Sequence, residues 1–192
     1  MKLLLDRLGQ SPEVFVFRVE RAWWDARFPD VEVSGIRLVG EPSIETRVHM
    51  SGENIHIEGE LSGSLDAECA RCNRRYRHAL RDSFRLILAP LGEADQPDDP
   101  EGAQALVRSG LWLGEDLETA RYRGSEIELD GFFAELISLE IPMQPLCDSE
   151  CPGLCPVCGT DRNKENCSCE DTKPDSPFAV LAALKGGREG SS

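Results

Sequence analysis

Residues 44–65 read IETRVHMSGENIHIEGELSGSL, and the alternation in this stretch decides the fold. Ile44, Thr46, Val48 and Met50 alternate with Glu45, Arg47 and His49. Ile55, Ile57, Leu61 and Leu65 then alternate with His56, Glu58, Glu60, Ser62 and Ser64. Successive side chains of a strand point to opposite faces, so this pattern marks strands with one buried and one wet face. Ser51-Gly52-Glu53-Asn54 supplies the turn between them. The stretch is an antiparallel hairpin, within a sheet expected to run from Ile36 to Leu88.

Working outward, residues 74–89 repeat the alternation. Tyr76, Leu80, Phe84, Leu86 and Leu88 share one parity, and Arg75, Arg77, Arg81 and Arg85 share the other. One register sets Leu61 opposite Leu80, Ile57 opposite Phe84 and Leu65 opposite Tyr76. It also pairs Asp66 with Arg75 and Glu60 with Arg81, which favours the pairing by a few tenths to about 1 kcal/mol each. The loop between the strands then carries Cys69-Ala70-Arg71-Cys72, two thiols at a hairpin tip. Six arginines fall between Arg71 and Arg85. Cross-strand neutralisation by acids accounts for most of them. Arg71, Arg74 and Arg77 are left least paired, and are the candidates for contact with RNA or a partner.

The other six of the eight cysteines lie in Cys147–Cys169, CDSECPGLCPVCGTDRNKENCSC. Two residues between thiolates let both sulfurs face one ion at about 2.3 Å, and a glycine after the second cysteine eases the turn. Cys155-Pro156-Val157-Cys158-Gly159 has this form. A structural zinc takes four ligands. The preferred partition joins Cys155, Cys158, Cys167 and Cys169 in one local site, and Cys147 and Cys151 with Cys69 and Cys72 in another. A single site around Cys155 and Cys158 is the alternative. Disulfides belong to exported chains, and MKLLLDRLGQSPE has only three consecutive leucines before Asp6, which is no signal-peptide core. A catalytic zinc would recruit histidine or a carboxylate and leave a position open, yet His49, His56 and His78 are distant in sequence. The metal is therefore expected to be structural, and no catalytic constellation is found.

Toward the N-terminus, VFVFRV (14–19) is a β-rich run. Trp23 and Trp24 follow, expected as core packing under a covering flap, with a partner anchor as the sharper possibility. Residues 91–110 hold two prolines and five acids and read as a loop or linker. A strand is expected at 119–123 or 126–129. Asp130 reads as the N-cap of a helix over 131–140 that Pro142 stops. Ser176 and Pro177 open a last short helix, PFAVLAALK, with Phe178 and Leu181 on one face, and this helix must dock to survive.

The chain has 192 residues, is 40% hydrophobic and 29% charged, and has a net charge of −14. That charge argues against a general electrostatic grip on nucleic acid, so any RNA contact must be local. No apolar run approaches a membrane span; no membrane association and no small-molecule substrate are expected, and a cytoplasmic location follows by default. The expected architecture is α+β: an antiparallel β-sheet core with a short helix, a cysteine-rich zinc-binding loop module and a C-terminal helix. Its parts are a sheet domain over 1–142 with an acidic linker at 91–110, a zinc module over 143–170, and a helix and tail over 171–192.

Three stretches together resemble one known family. They are Gly63 and Leu65 running into Cys69-Ala70-Arg71-Cys72; Leu154 to Gly159 continuing through Asp161-Arg162-Asn163 to Cys167 and Cys169; and Ser176 to Lys185. Their order and spacing are similar to those of the bacterial YceD family. The resemblance implies a non-enzymatic factor for large-subunit (23S) rRNA accumulation or ribosome biogenesis, with large-subunit rRNA or ribosomal proteins as partners. Two other readings of the cysteines compete. One is a thiol-disulfide oxidoreductase using the CPVC motif, and the other a zinc-ribbon adaptor for a nucleic-acid machine.

Overall fold

Wherever apolar residues alternate, the backbone is extended. In chain order the elements are β1 (Lys2–Leu4), a 3-10 turn (Leu5–Arg7), β2 (Glu13–Arg18), α1 (Arg21–Arg27), β3 (Ile36–Ser51) and β4 (Asn54–Glu68). There follow β5 (Arg75–Pro90), α2 (Pro100–Ser109), β6 (Leu111–Leu113), β7 (Thr119–Tyr122), β8 (Glu126–Glu128) and α3 (Asp130–Glu140). The computed structural model describes residues 2–32, 34–92, 97, 99–113 and 119–169. The chain divides into two units, Met1–Ser149 and Glu150–Ser192, and all these elements belong to the first.

Six strands form one sheet in the order β2-β3-β4-β5-β7-β6, and β1 pairs with β8 in a separate two-stranded ladder. The architecture is α+β, as expected. The main sheet is mixed, because β7 runs parallel to β5 while the other neighbours are antiparallel. A parallel neighbour needs a crossover connection. Here α2 and β6 lie within it. The predicted hairpin closes at Ser51 and Asn54, with Gly52 at a positive φ of 66° as the first residue of the two-residue loop.

The register of β4 with β5 corrects the expected one by two residues. Ile57 faces Leu86, Gly63 faces Leu80, and Asp66 faces Arg77. The parity is unchanged, so the same side chains are buried. The shift comes from the tip: Cys69 donates its backbone N–H to Arg74 O at 2.9 Å, so the ladder extends almost to the cysteines. Arg75 still reaches Asp66 diagonally at 3.4 Å, and Arg85 pairs with Glu58 at 3.1 Å.

The inner face holds Ile44, Ile57, Leu61, Leu65, Leu80 and Leu86, all at most 2% exposed. Burying each such side chain is worth about 1.5–3 kcal/mol. Helix α3 lays Phe132, Phe133, Leu136 and Ile137 into this core. Phe133 has its ring 5.3 Å from Phe17, and Phe84 has its ring 5.1 Å from Phe132. Trp23 and Trp24 lie on a helix rather than a strand. Trp24 is 0% exposed, and half-buried Trp23 donates Nε1–H to Asp130 Oδ2 at 3.1 Å. Asp130 therefore does not cap α3 as expected. It is the first helical residue, and its carboxylate holds Trp23 and Arg27. Burial pushes this carboxyl up, but hydrogen bonding from Trp23 and the Arg27 charge contribute to holding it below the ordinary aspartate range.

The acidic stretch also departs from the linker expectation. Pro100–Ser109 is helical: the Asp99 carboxylate accepts from Gly102 N–H, Pro100 opens the first turn, and Gly110 closes the helix at φ 68°. These are ordinary start and stop signals, masked by the low hydrophobicity around them. The helix expected after Ser176, with Phe178 and Leu181, lies outside the described residues.

Gly59 sits opposite Phe84, and a Cβ there would stand 2.8 Å from the Glu45 carbonyl oxygen and 2.5 Å from Phe84 Cζ. Gly59→Ala is expected to destabilise the fold by about 1–3 kcal/mol, because backbone cannot yield as a side chain can. Urea denaturation checks this, and an unchanged midpoint would contradict it.

Candidate metal centre

A C-x2-C pair presents two sulfurs to one ion only if the chain between them turns tightly. The pair on the sheet does so by two backbone bonds. Asn73 N–H donates to Cys69 O at 2.9 Å, and Cys69 N–H donates to Arg74 O at 2.9 Å. Asn73 takes a positive φ of 58°, a conformation that asparagine tolerates better than most residues. The second unit repeats the construction. Gly159 N–H donates to Cys155 O at 2.9 Å, Cys155 N–H donates to Thr160 O at 2.8 Å, and Gly159 has φ 74°. Both C-x2-C stretches are thus knuckles with the same bonds at the same offsets. The sequence reading noticed Gly159. It missed Asn73, which does the same work one residue after Cys72.

In the first unit the knuckle meets Cys147. The Sγ atoms of Cys69, Cys72 and Cys147 lie within 4.8 Å of one another, with Cys72 and Cys147 at 3.7 Å. Four sulfurs about 2.3 Å from one zinc stand roughly 3.8 Å apart, whereas a disulfide needs about 2.05 Å. The spacing fits shared coordination, and none of the eight cysteines is in a disulfide. Ala70 N–H donates to Pro145 O at 2.8 Å and Arg71 donates to Ser149 O at 3.1 Å, which ties the tip to the chain on both sides of Cys147. Arg71 is thereby engaged with backbone, and Arg74 also has a partner. Burial raises the Cys69 thiol, but backbone N–H groups of Cys147, Arg71 and Cys72 outweigh it and bring the pKa to about 6.

In the second unit the Sγ atoms of Cys155, Cys158, Cys167 and Cys169 all lie within 4.8 Å of one another. Leu154 and Asp161 form a β-bridge that closes the knuckle's base. Asp161 accepts from Asn163 N–H at 3.0 Å and from its side-chain amide at 2.6 Å, so its carboxyl sits below the ordinary range. Asn163 is thereby aimed at Cys151, with Nδ2 3.5 Å from Sγ, and Arg162 reaches Cys155 Sγ at 3.8 Å. Donors of this kind favour thiolates, which are the metal-binding form. Backbone N–H groups of Cys158 and Val157 hold Cys155 at about 6. Cys169 is pushed up to about 12, first by its contact with Cys158 and then by burial. Packed thiols cannot all ionise unaided, and a divalent cation removes that conflict.

The two sets agree in chemistry: sulfur-only donors at tetrahedral spacing, with no carboxylate or imidazole in either. Such sets suit zinc in a closed, structural role. The sequence partition put Cys151 with Cys147; Cys151 is buried and follows four residues on, at the start of the second unit. Of the contact residues expected from sequence, Arg77 is exposed on β5, opposite Asp66.

The fold and its thiols define an α+β sheet protein with two cysteine clusters able to hold metal ions. The model of one family, described as large ribosomal RNA subunit accumulation protein YceD, matches residues 57–185, and the chain belongs to it. A Haemophilus influenzae protein of that name is 31% identical over 67% of this chain and 64% of its own length. A chloroplastic YCED homolog 1 of Arabidopsis thaliana is 26% identical over 69% of this chain, but the match spans only 45% of that protein. An uncharacterised Mycobacterium tuberculosis protein is 27% identical over 83% of this chain and 69% of its own. No solved structure matches. Among the described residues, no helix is long and apolar enough to cross a membrane.

Purified protein is expected to carry about two zinc ions per chain by elemental analysis. Cys158→Ser should lose one and Cys72→Ser the other. A protein that binds none under reducing conditions would contradict the assignment.

Proposed function

We propose that this chain is a non-enzymatic factor for large-subunit rRNA accumulation, acting in ribosome biogenesis by binding rRNA or a ribosomal protein. The single observation that carries the reading is the family match over residues 57–185, in a family named for that role. Two structural zinc ions brace it. Cys69, Cys72 and Cys147 contribute to one, and Cys155, Cys158, Cys167 and Cys169 hold the other. The sulfur-only donor sets support a bracing role, because a closed site of four cysteines offers no open position for substrate. Arg71, Arg74, Arg77, Phe178 and Leu181 are the candidate contact residues in this reading.

Deletion of the gene in its own host is expected to lower mature 23S rRNA relative to 16S. Quantifying both rRNAs by gel or sequencing checks it. Unchanged 23S and its precursors would refute the role. Thiol titration of the metal-loaded protein separates the oxidoreductase alternative. Unreactive Cys155 and Cys158 are expected, and a rapidly exchanging dithiol would point to redox chemistry instead.

A further inference from the structure

We propose that the open, solvent-facing side of the main sheet is a docking surface for the phosphate backbone of RNA. The proposal rests on the function proposed above and names where that function makes contact. The sheet register brings arginines from three strands, β2, β3 and β5, to this one face. Arg18, Ser43, Ser62 and Arg81 stand side by side across β2, β3, β4 and β5. Arg47, Glu58 and Arg85 form the next such row but one, and Arg37, Asp66 and Arg77 form another. All six arginines are exposed.

Cross-strand neutralisation explains only part of this. Arg85 pairs with Glu58 at 3.1 Å. Arg18, Arg37, Arg47, Arg77 and Arg81 have no guanidinium hydrogen bond or ion pair to any described residue. Acids share the face without pairing with these five: Glu45 and Glu60 stand opposite each other in the row between Arg81 and Arg85, a like-charge pairing that costs rather than contributes. A chain of net charge −14 therefore keeps five arginines without an ion pair on one side of the sheet, among acids that do not pair with them. A local patch of this kind meets the condition that the overall acidity imposes on RNA contact.

The residue types favour phosphate over an acidic protein. Strands β3 to β5 contain no lysine, so every strong cation there is a planar guanidinium, whose fork matches phosphate oxygens bidentately and stacks on bases. Serines stand between the arginines, with Ser43 Oγ and Ser62 Oγ 3.2 Å apart, and hydroxyls also bond phosphate. Neighbouring strands are about 4.8 Å apart, so Arg18 and Arg81 lie roughly 14 Å from each other. That span suits an extended backbone crossing the strands, and contacts of this type position RNA without reading its bases.

The test uses the full, zinc-loaded chain and a transcript of large-subunit rRNA, with binding measured across a range of KCl. Arg47→Glu with Arg81→Glu is expected to weaken binding about tenfold or more and to lower the salt slope by about one for each arginine. Arg108→Glu, on the exposed surface of α2, changes net charge equally per substitution and should alter affinity less than twofold. Arg47→Lys with Arg81→Lys should keep most of the binding. Equal loss from Arg108→Glu, no loss from the face variants, or wild-type protein that binds no RNA would each overturn the proposal. So would face variants that keep RNA affinity but lose a protein partner. In the deletion strain, face variants that restore 23S rRNA fully would refute this surface and leave the functional reading standing; a deletion without effect on 23S would refute the reading itself.

Discussion

Strand β4 is hydrogen-bonded along almost its whole length to β3 on one side and β5 on the other, and the rest of the first unit hangs on that double pairing. A central strand has no freedom of face. Once Ile55, Ile57, Leu61 and Leu65 point into the core, both neighbours must present their own apolar parity to the same side. Helix α3 then has one surface to cover, and its phenylalanines cover it. The opposite side is left to water. Its polar composition follows from the same alternation that builds the core.

The two ends of the β4 pairings are closed by different chemistry. At Ser51 and Asn54 a glycine with positive φ makes a plain two-residue turn. At Cys69 and Arg74 the ladder ends in a cysteine knuckle. A sheet thereby delivers two thiols at a fixed place and spacing, and Pro145 and Ser149 bring the chain around Cys147 to meet them. The second unit builds the same knuckle without a sheet, from a single β-bridge and the Asp161–Asn163 turn. Its described residues offer little apolar surface, and a metal held by the four sulfurs would supply order there.

Charge follows a separate logic. Ion pairs such as Glu58–Arg85 are exposed and contribute little to stability. They serve better as a guide to which arginines are spoken for. By that measure Arg71, at the hairpin tip, is engaged by a backbone carbonyl, whereas several arginines of the open face are not in an ion pair.

Much of this was legible in the sequence because it is local. Alternation determined the strands β3, β4 and β5 and the buried parity of each, and the C-x2-C spacing marked the two knuckles whose sulfurs belong to clusters able to hold a metal ion. Helix α2 was legible in principle from Asp99, Pro100 and Gly110, but the low apolar content around them masked those signals. Other features depend on residues distant in the chain. The two-residue register difference arose from Asn73 and Arg74 closing on Cys69. The parallel β7 and the diversion of Asp130 from a cap to a partner of Trp23 required the folded chain. Periodicity reports which face a residue takes, because that is a property of its own backbone. It cannot report which residue will stand opposite, because that depends on where the chain turns and what the turn must hold.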